Sequence, residues 1–187
     1  MKVTLIHITP DAENLIGKCA SICYDSAVTR EANIKRAAHC VDRGHLATLR
    51  FAHAIFNVSG ISRACSHQFV RSKHLDFLQR SQRYCNEDEQ MFVYPGTSSD
   101  SLISSAYQSS LATYKRLREL GIKKEDARYV LPAGVATELN VVGNLQAWDD
   151  FIELRTNSAA QDEIREVALE IQRQLRNLLP NIFGKVV

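Results

Sequence analysis

The chain reads as an α+β fold: a single domain over residues 1–187, with an antiparallel or mixed sheet packed by helices. Three observations point there. Residues 2–8 alternate apolar and polar in strand fashion, and 135–142 read as another strand. Residues 100–120 and 161–179 instead carry apolar side chains at helical spacing. Finally, 187 residues at 45% hydrophobic and 24% charged suffice for one sizeable core.

The elements follow in order. After the first strand, Thr9-Pro10-Asp11 reads as a helix start: a cap, a proline in the first turn and acids near the positive end. Leu15, Ile16, Cys19, Ala20 and Cys23 carry that helix to about Tyr24. A second helix is expected from about Arg30 to Asp42, with Gly44 as its stop. Phe51 to Ser59 reads as a buried strand ending near Gly60, with His53 a satisfied buried histidine. Residues 61–72 favour a helix, and 77–84 an extended or irregular path. The stretch from about 85 to 100, with Asn86, Pro95, Gly96 and several serines, reads as a loose surface loop. Ser98-Ser99-Asp100 caps a long helix that runs to about Leu120 and closes at Gly121. A short helix from about Lys124 to Val130 stops before Pro132. Beyond the strand at 135–142, helices are expected over 145–154 and 161–179, with Pro180 after them. Trp148 and Phe151 are read as core packing, and Glu163, Glu166 and Glu170 as a solvated face.

Several classes are set aside. A net charge of +2 argues neither for nor against nucleic acid; the basic run has few exposed-looking aromatics and the rest of the chain is not basic, so nucleic acid is not expected as a partner. No apolar run approaches the length of a membrane span, and the N-terminus does not resemble an export signal. The five cysteines are an odd set, read as reduced thiols of a cytoplasmic protein. Cys19 and Cys23 lie four apart and are read as small core thiols; no metal site is expected.

The distinctive segment is Ser62 to Tyr84. Arg63, Arg71, Lys73, Arg80 and Arg83 are opposed there by Asp76 alone. Guanidinium forks match phosphate oxygens, and Gln68, Gln79 and Gln82 suit the edge of a nucleobase. The bland reading is a solvated basic face. Against it stand Phe69, Val70, Leu75, Phe77 and Leu78, which are expected to bury the segment and so require partners for its charges.

These residues also carry a resemblance. Arg71-Ser72-Lys73, seven residues, then Ser81-Gln82-Arg83 is similar to the Arg-His-Arg…Ser-x-Arg signature of flavin-dependent thymidylate synthases. Gly44-His45, the run from Phe56 to Arg63, Ala127-Arg128-Tyr129-Val130-Leu131-Pro132, Asn144 and Phe151-Ile152-Glu153-Leu154-Arg155 resemble further blocks of that family. Together they span roughly residues 15–180.

The resemblance implies deoxyuridylate, a pyrimidine nucleotide monophosphate, as methyl acceptor. It implies methylenetetrahydrofolate as carbon donor, and FAD, reduced by NADPH, as hydride carrier. It places Gln68, Arg71, Gln79, Ser81, Arg83, Arg128 and Arg155 at the nucleotide, with Arg155 as the catalytic group beside the uracil. It places His45, Arg71, Lys73, Gln79, Asn144 and Asp150 at the flavin, in a homotetramer whose sites are shared between subunits. Departures fall at Ser72, Lys73, Arg50, Phe51, Gln146 and Ala159, where the family carries His, Arg, Glu, His, Arg and, in some members, His. Two expectations follow: an active enzyme with its own flavin contacts, or a divergent paralogue that binds or modifies another pyrimidine nucleotide, possibly without methylation.

Overall fold

The structure is a computed structural model that describes residues 1–184 apart from Tyr24, Ala27, Gln90 and Ser98. Strand β1 (Lys2–Ile8) leads into α1 (Ala12–Ser21) and α2 (Arg30–Asp42). A 3-10 segment, Leu46–Phe51, precedes β2 (His53–Ser62), α3 (Arg63–Phe69) and β3 (Leu75–Gln79). Then come α4 (Asp100–Glu119), α5 (Lys124–Ala127), a 3-10 turn at Arg128–Val130, β4 (Ala136–Asn144), α6 (Leu145–Thr156), α7 (Asp162–Leu178) and α8 (Pro180–Phe183). The four strands form one sheet in the order β1-β2-β4-β3, every pair antiparallel. That settles the expectation of an antiparallel or mixed sheet.

The central pair, β2 and β4, shows why one face is buried. Ala54, Phe56 and Val58 alternate with outward neighbours along β2, and Leu139 and Val141 do so on β4; all five are at most 1% exposed. Period-two alternation puts that set on the face packed by helices. Trp148 of α6 lies there fully buried, its ring 5.0 Å from that of Phe56 and its indole N–H donating to the Ala54 carbonyl at 3.1 Å. Trp148 and Phe151 are therefore core, as their spacing predicts.

Several local expectations shift. Strand β2 does not stop at Gly60. Its register against β4 slips between Ser59 and Ile61, and Gly60 sits at φ +69°, so the glycine serves a bulge inside the strand. The same strand starts at His53 rather than Phe51, because residues 46–51 wind as 3-10 helix, and His53 is exposed, not buried. Pro10 lies outside α1, whose cap is Asp11 at φ 47°, held by Arg30 at 2.8 Å. The expected end of that helix at Tyr24 and the Ser98 part of the α4 cap fall outside the described residues. Cys19 is half-buried and Cys23 exposed, so the core thiols are instead Cys40 and Cys65. The segment expected as a loose loop is tacked down: Phe92 bridges to Val135, and Met91 O accepts from the Ala136 N–H at 2.9 Å.

Gly143 on β4 is required by packing. A Cβ there would meet Leu75 Cδ2 at 2.2 Å, so the missing side chain lets β3 close onto the central strand.

Trp148→Ala removes a fully buried indole together with its hydrogen bond. We expect a loss of about 3–5 kcal/mol, read as a lower urea midpoint at unchanged slope.

Candidate active site

Both central strands run straight into helices, and those helices meet. Ser62 ends β2 and caps α3 by accepting from the Cys65 N–H at 3.0 Å. Glu163, in the first turn of α7, accepts from the Ser62 N–H and Oγ, each at 2.6 Å. This overturns the reading of Glu163 as solvated: it clamps the start of α3. At the other end of the sheet Asn144 ends β4 and caps α6, accepting from the Ala147 N–H at 2.9 Å.

The far ends of α3 and α6 then come together. Phe69 and Phe151 stack with centroids 4.5 Å apart. One residue before Phe69, the Gln68 carbonyl accepts from Arg155 Nη2 at 3.1 Å, and the Gln68 amide donates to the Gln161 side chain. Arg155 lies in the last turn of α6, where the helix dipole favours a cation. Its Nε is buried and has no hydrogen-bond partner among the described residues. Arg155 and Asp150 line one open cleft of about 630 Å³ together with Glu153, Leu154, Asn157, Ala159 and Ala160. A residue expected at the nucleotide and one expected at the flavin thus share a wall.

A second group forms around Glu125. Arg83 Nε donates to its carboxylate at 2.6 Å, and Arg128 Nε donates to its backbone carbonyl at 3.1 Å. The Arg83 and Glu125 side chains are 59% and 34% exposed, so solvent screens the pair, and a phosphate competes for Arg83 at little loss. Ser81 Oγ accepts from the Arg83 N–H at 3.2 Å. Gln79, at the end of β3, points inward: its amide donates to the buried Ser66 and Thr137 hydroxyls at 2.8 and 3.2 Å.

The remaining expected residues are spread out. Arg71 and Lys73 are exposed on the turn between α3 and β3, beside His74 at φ 63°. His45 is exposed ahead of the 3-10 segment. Asn144 has its side-chain oxygen committed to the α6 cap. Val70 and Leu78, expected to bury the basic segment, are 41% and 78% exposed; Phe69 and Leu75 anchor it instead. Two departures from the signature blocks touch each other, with Arg50 Nε donating to Gln146 Oε1 at 2.6 Å.

Sequence reasoning missed Ser66, Thr137, Gln161, Glu125 and Glu87 as supports of the site. None belongs to a spacing pattern; each is brought in by a different element. Cys65, beside Glu163 and Arg155, has its thiol pushed up to about 12, chiefly by burial, so it stays protonated and is no nucleophile. Among the described residues no group of three or more His, Cys, Asp or Glu side chains is placed to hold a metal ion. No described helix is long and apolar enough to cross a membrane.

The protein is a single α+β domain that gathers guanidiniums at two places: Arg155 at the junction of α3 and α6, and Arg83 and Arg128 around Glu125. A family model described as thymidylate synthase complementing protein matches residues 4–181. The chain is 35% identical to a flavin-dependent thymidylate synthase of Geobacter sulfurreducens over 98% of its own length and 85% of that protein's. It is 35% identical to one of Mycobacteroides abscessus, covering 87% and 74%, and 36% identical to one of Mycobacterium tuberculosis, covering 78% and 66%. The chain belongs to the flavin-dependent thymidylate synthase family.

Asp149, half-buried beside the exposed Asp150 on α6, has its carboxyl raised above the ordinary range by burial first, then by Asp150 and Glu153. Ionised Asp149 therefore opposes folding at neutral pH. That opposition fades as pH falls through the raised value toward the ordinary carboxylate range, because the folded state binds the proton first. Asp149→Asn is expected to be more stable than the parent at pH 7, with the gap closing on acidification in paired thermal melts.

Proposed function

We propose that this protein methylates deoxyuridylate to thymidylate, with methylenetetrahydrofolate as carbon donor and NADPH as reductant of its FAD. The reading rests on family membership and on one observation: Arg155 holds a buried Nε with no hydrogen-bond partner among the described residues, at the wall of the cleft. A buried guanidinium donor left unsatisfied is costly unless a ligand completes it. Anchored on the Gln68 carbonyl, Arg155 keeps a fixed orientation toward the uracil ring. There it stabilises negative charge as it develops, with no proton leaving the arginine.

Arg83, Arg128 and Ser81 take the phosphate, with Arg71 approaching from the exposed turn. Gln79, held by Ser66 and Thr137, presents its remaining oxygen where β3 ends. Bound FAD supplies the hydride; the chain's part is to hold and orient it through Lys73, His45, Asn144, Asp150, Arg71 and Gln79. The donor set fits a polar, anionic cofactor. Lys73 offers a cation to the pyrophosphate, though as a point charge rather than a fork. Asn144 retains its amide N–H groups for the ring after its oxygen caps α6. His45 and Lys73 precede β2 and β3, whose starts pair with Asn144 and Gly143 at the same end of β4, and we take the assembly to be the homotetramer of the family. In α4, Tyr114 alone is buried, and Leu102 is 73% and Leu120, just past its end, 63% exposed, which leaves apolar surface for such an assembly. The five unpaired cysteines suit a reducing cytoplasm.

The purified protein is expected to be yellow or to take up FAD, to bleach with NADPH, and to form thymidylate when deoxyuridylate and the folate are added. A colourless protein that ignores FAD overturns the proposal. Binding of deoxyuridylate without product, in protein that carries and reduces its flavin, leaves a nucleotide-binding paralogue instead. Arg155→Ala should lower turnover by about 100-fold or more while the flavin spectrum and melting temperature stay close to the parent's.

A further inference from the structure

The loop that carries Ser81 and Arg83 is tied shut by its own flanks. The Arg80 N–H, just past β3, donates to the Glu138 carbonyl of β4 at 2.9 Å. The Arg80 guanidinium then reaches across the loop. Its Nη2 donates to the Asn86 carbonyl at 3.1 Å, and its Nε lies 3.5 Å from Glu87 Oε1. From the first turn of α3, Arg63 Nη2 donates to the Arg80 carbonyl at 2.7 Å. Arg80 thus joins the two ends of residues 81–86, whose middle is held by the Cys85 N–H donating to the Ser81 carbonyl at 2.9 Å and by Lys124 Nζ donating to the Tyr84 carbonyl at 2.9 Å.

Glu87 is an unusual member of this knot. It is 1% exposed, and neither carboxylate oxygen has a hydrogen-bond partner among the described residues. Arg80 and Arg63 attract it; the neighbouring charged and titratable groups are Asp88 and the Tyr114 hydroxyl of α4, and Arg128 acts in turn on Arg63. Burial raises its carboxyl above the ordinary range, against the pull of Arg80 and then Arg63. Arg63 is itself imperfectly satisfied, with its Nε buried and unpartnered. A buried charge set with unmet donors and acceptors is a poor way to gain stability, and apolar or neutral replacements commonly do better. Rule-breaking of this kind is expected where geometry is used.

We propose that Glu87 is a positioning residue: by holding the Arg80 guanidinium, whose backbone carbonyl is in turn held by Arg63, it locks the 81–86 loop in the conformation that presents Ser81 and Arg83 to the nucleotide phosphate. The role of the phosphate rests on the function proposed above, whereas the lock is a property of the free chain. Without the lock the loop samples other conformations, and apparent affinity falls by the fraction of time it is competent.

The test uses the flavin-loaded full chain and the variant Glu87→Gln, which keeps shape and removes charge. In ligand-free protein, hydrogen exchange at the amides of 81–86 should accelerate about ten-fold while α6 and β4 keep their protection. The dissociation constant for deoxyuridylate should rise about ten-fold, with turnover at saturation within about two-fold of the parent. On acidification into the range where Glu87 protonates, the parent should converge on the variant, since a protonated Glu87 resembles glutamine. Arg80→Gln cuts the same tie from the other side and should reproduce the loop exchange should Glu87→Gln fail to fold. Unchanged loop exchange with unchanged affinity overturns the inference. So does acceleration spread over the whole chain, which means that Glu87 supports the fold at large. A parent that never binds deoxyuridylate overturns the proposed function, and the exchange measurement still decides whether the lock exists.

Discussion

The antiparallel pairing of β2 with β4 is the constraint on which the rest depends. The two strands run in opposite directions, and each ends in a residue that is already a helix cap: Ser62 for α3 and Asn144 for α6. With no loop between strand and helix, neither helix is free to choose its direction. They start from opposite ends of the sheet and meet where Phe69 stacks on Phe151 and Arg155 reaches the Gln68 carbonyl. A seven-residue and a twelve-residue helix span roughly 10 and 18 Å at the standard rise. The candidate site is therefore a consequence of strand pairing, fixed by the Trp148 contact with Ala54 and Phe56.

Electrostatics builds on that frame. The guanidiniums differ in how completely the protein occupies them. Arg83 is paired with an accessible carboxylate and is easily recruited. Arg80 is tied between a backbone carbonyl and a buried acid. Arg155 is held at one nitrogen and open at another. A set graded in this way has its orientation settled in the free chain; for the ligand proposed above, less ordering would remain to be done on association.

The departures from the family signature take on structural meaning here. Arg50 and Gln146 are nearly a hundred positions apart, yet they bond to each other at 2.6 Å across the 3-10 segment and α6. The two departures are thus matched to each other in this chain: the guanidinium at 50 donates to the neutral amide at 146. At Lys73, on an exposed turn, the charge is retained without the fork; no contact in the single chain accounts for that exchange. Ser72 has a buried hydroxyl without a hydrogen-bond partner among the described residues.

The sequence by itself determined the periodicities and punctuation: β1, α2 with its Gly44 stop, α4, α7 and the core role of Trp148 and Phe151 all follow from local spacing. It also determined the family, because Arg71, Ser81, Arg83, Arg128 and Arg155 lie in fixed blocks along the chain. Tertiary structure decided what those patterns leave open. Gly60 ends a strand by propensity, but the β4 partner carries β2 through it as a bulge. Glu163 is polar on a helix and reads as solvated until Ser62, a hundred and one residues away, is placed beside it. Glu87 sits in a polar stretch that reads as loose loop, and only the packing of α3, β3 and α4 around it makes it a buried charge. Local spacing reports which face a side chain shares with its near neighbours. Burial, ion pairing and hydrogen-bond satisfaction depend on groups from distant elements, and those are set when the sheet closes.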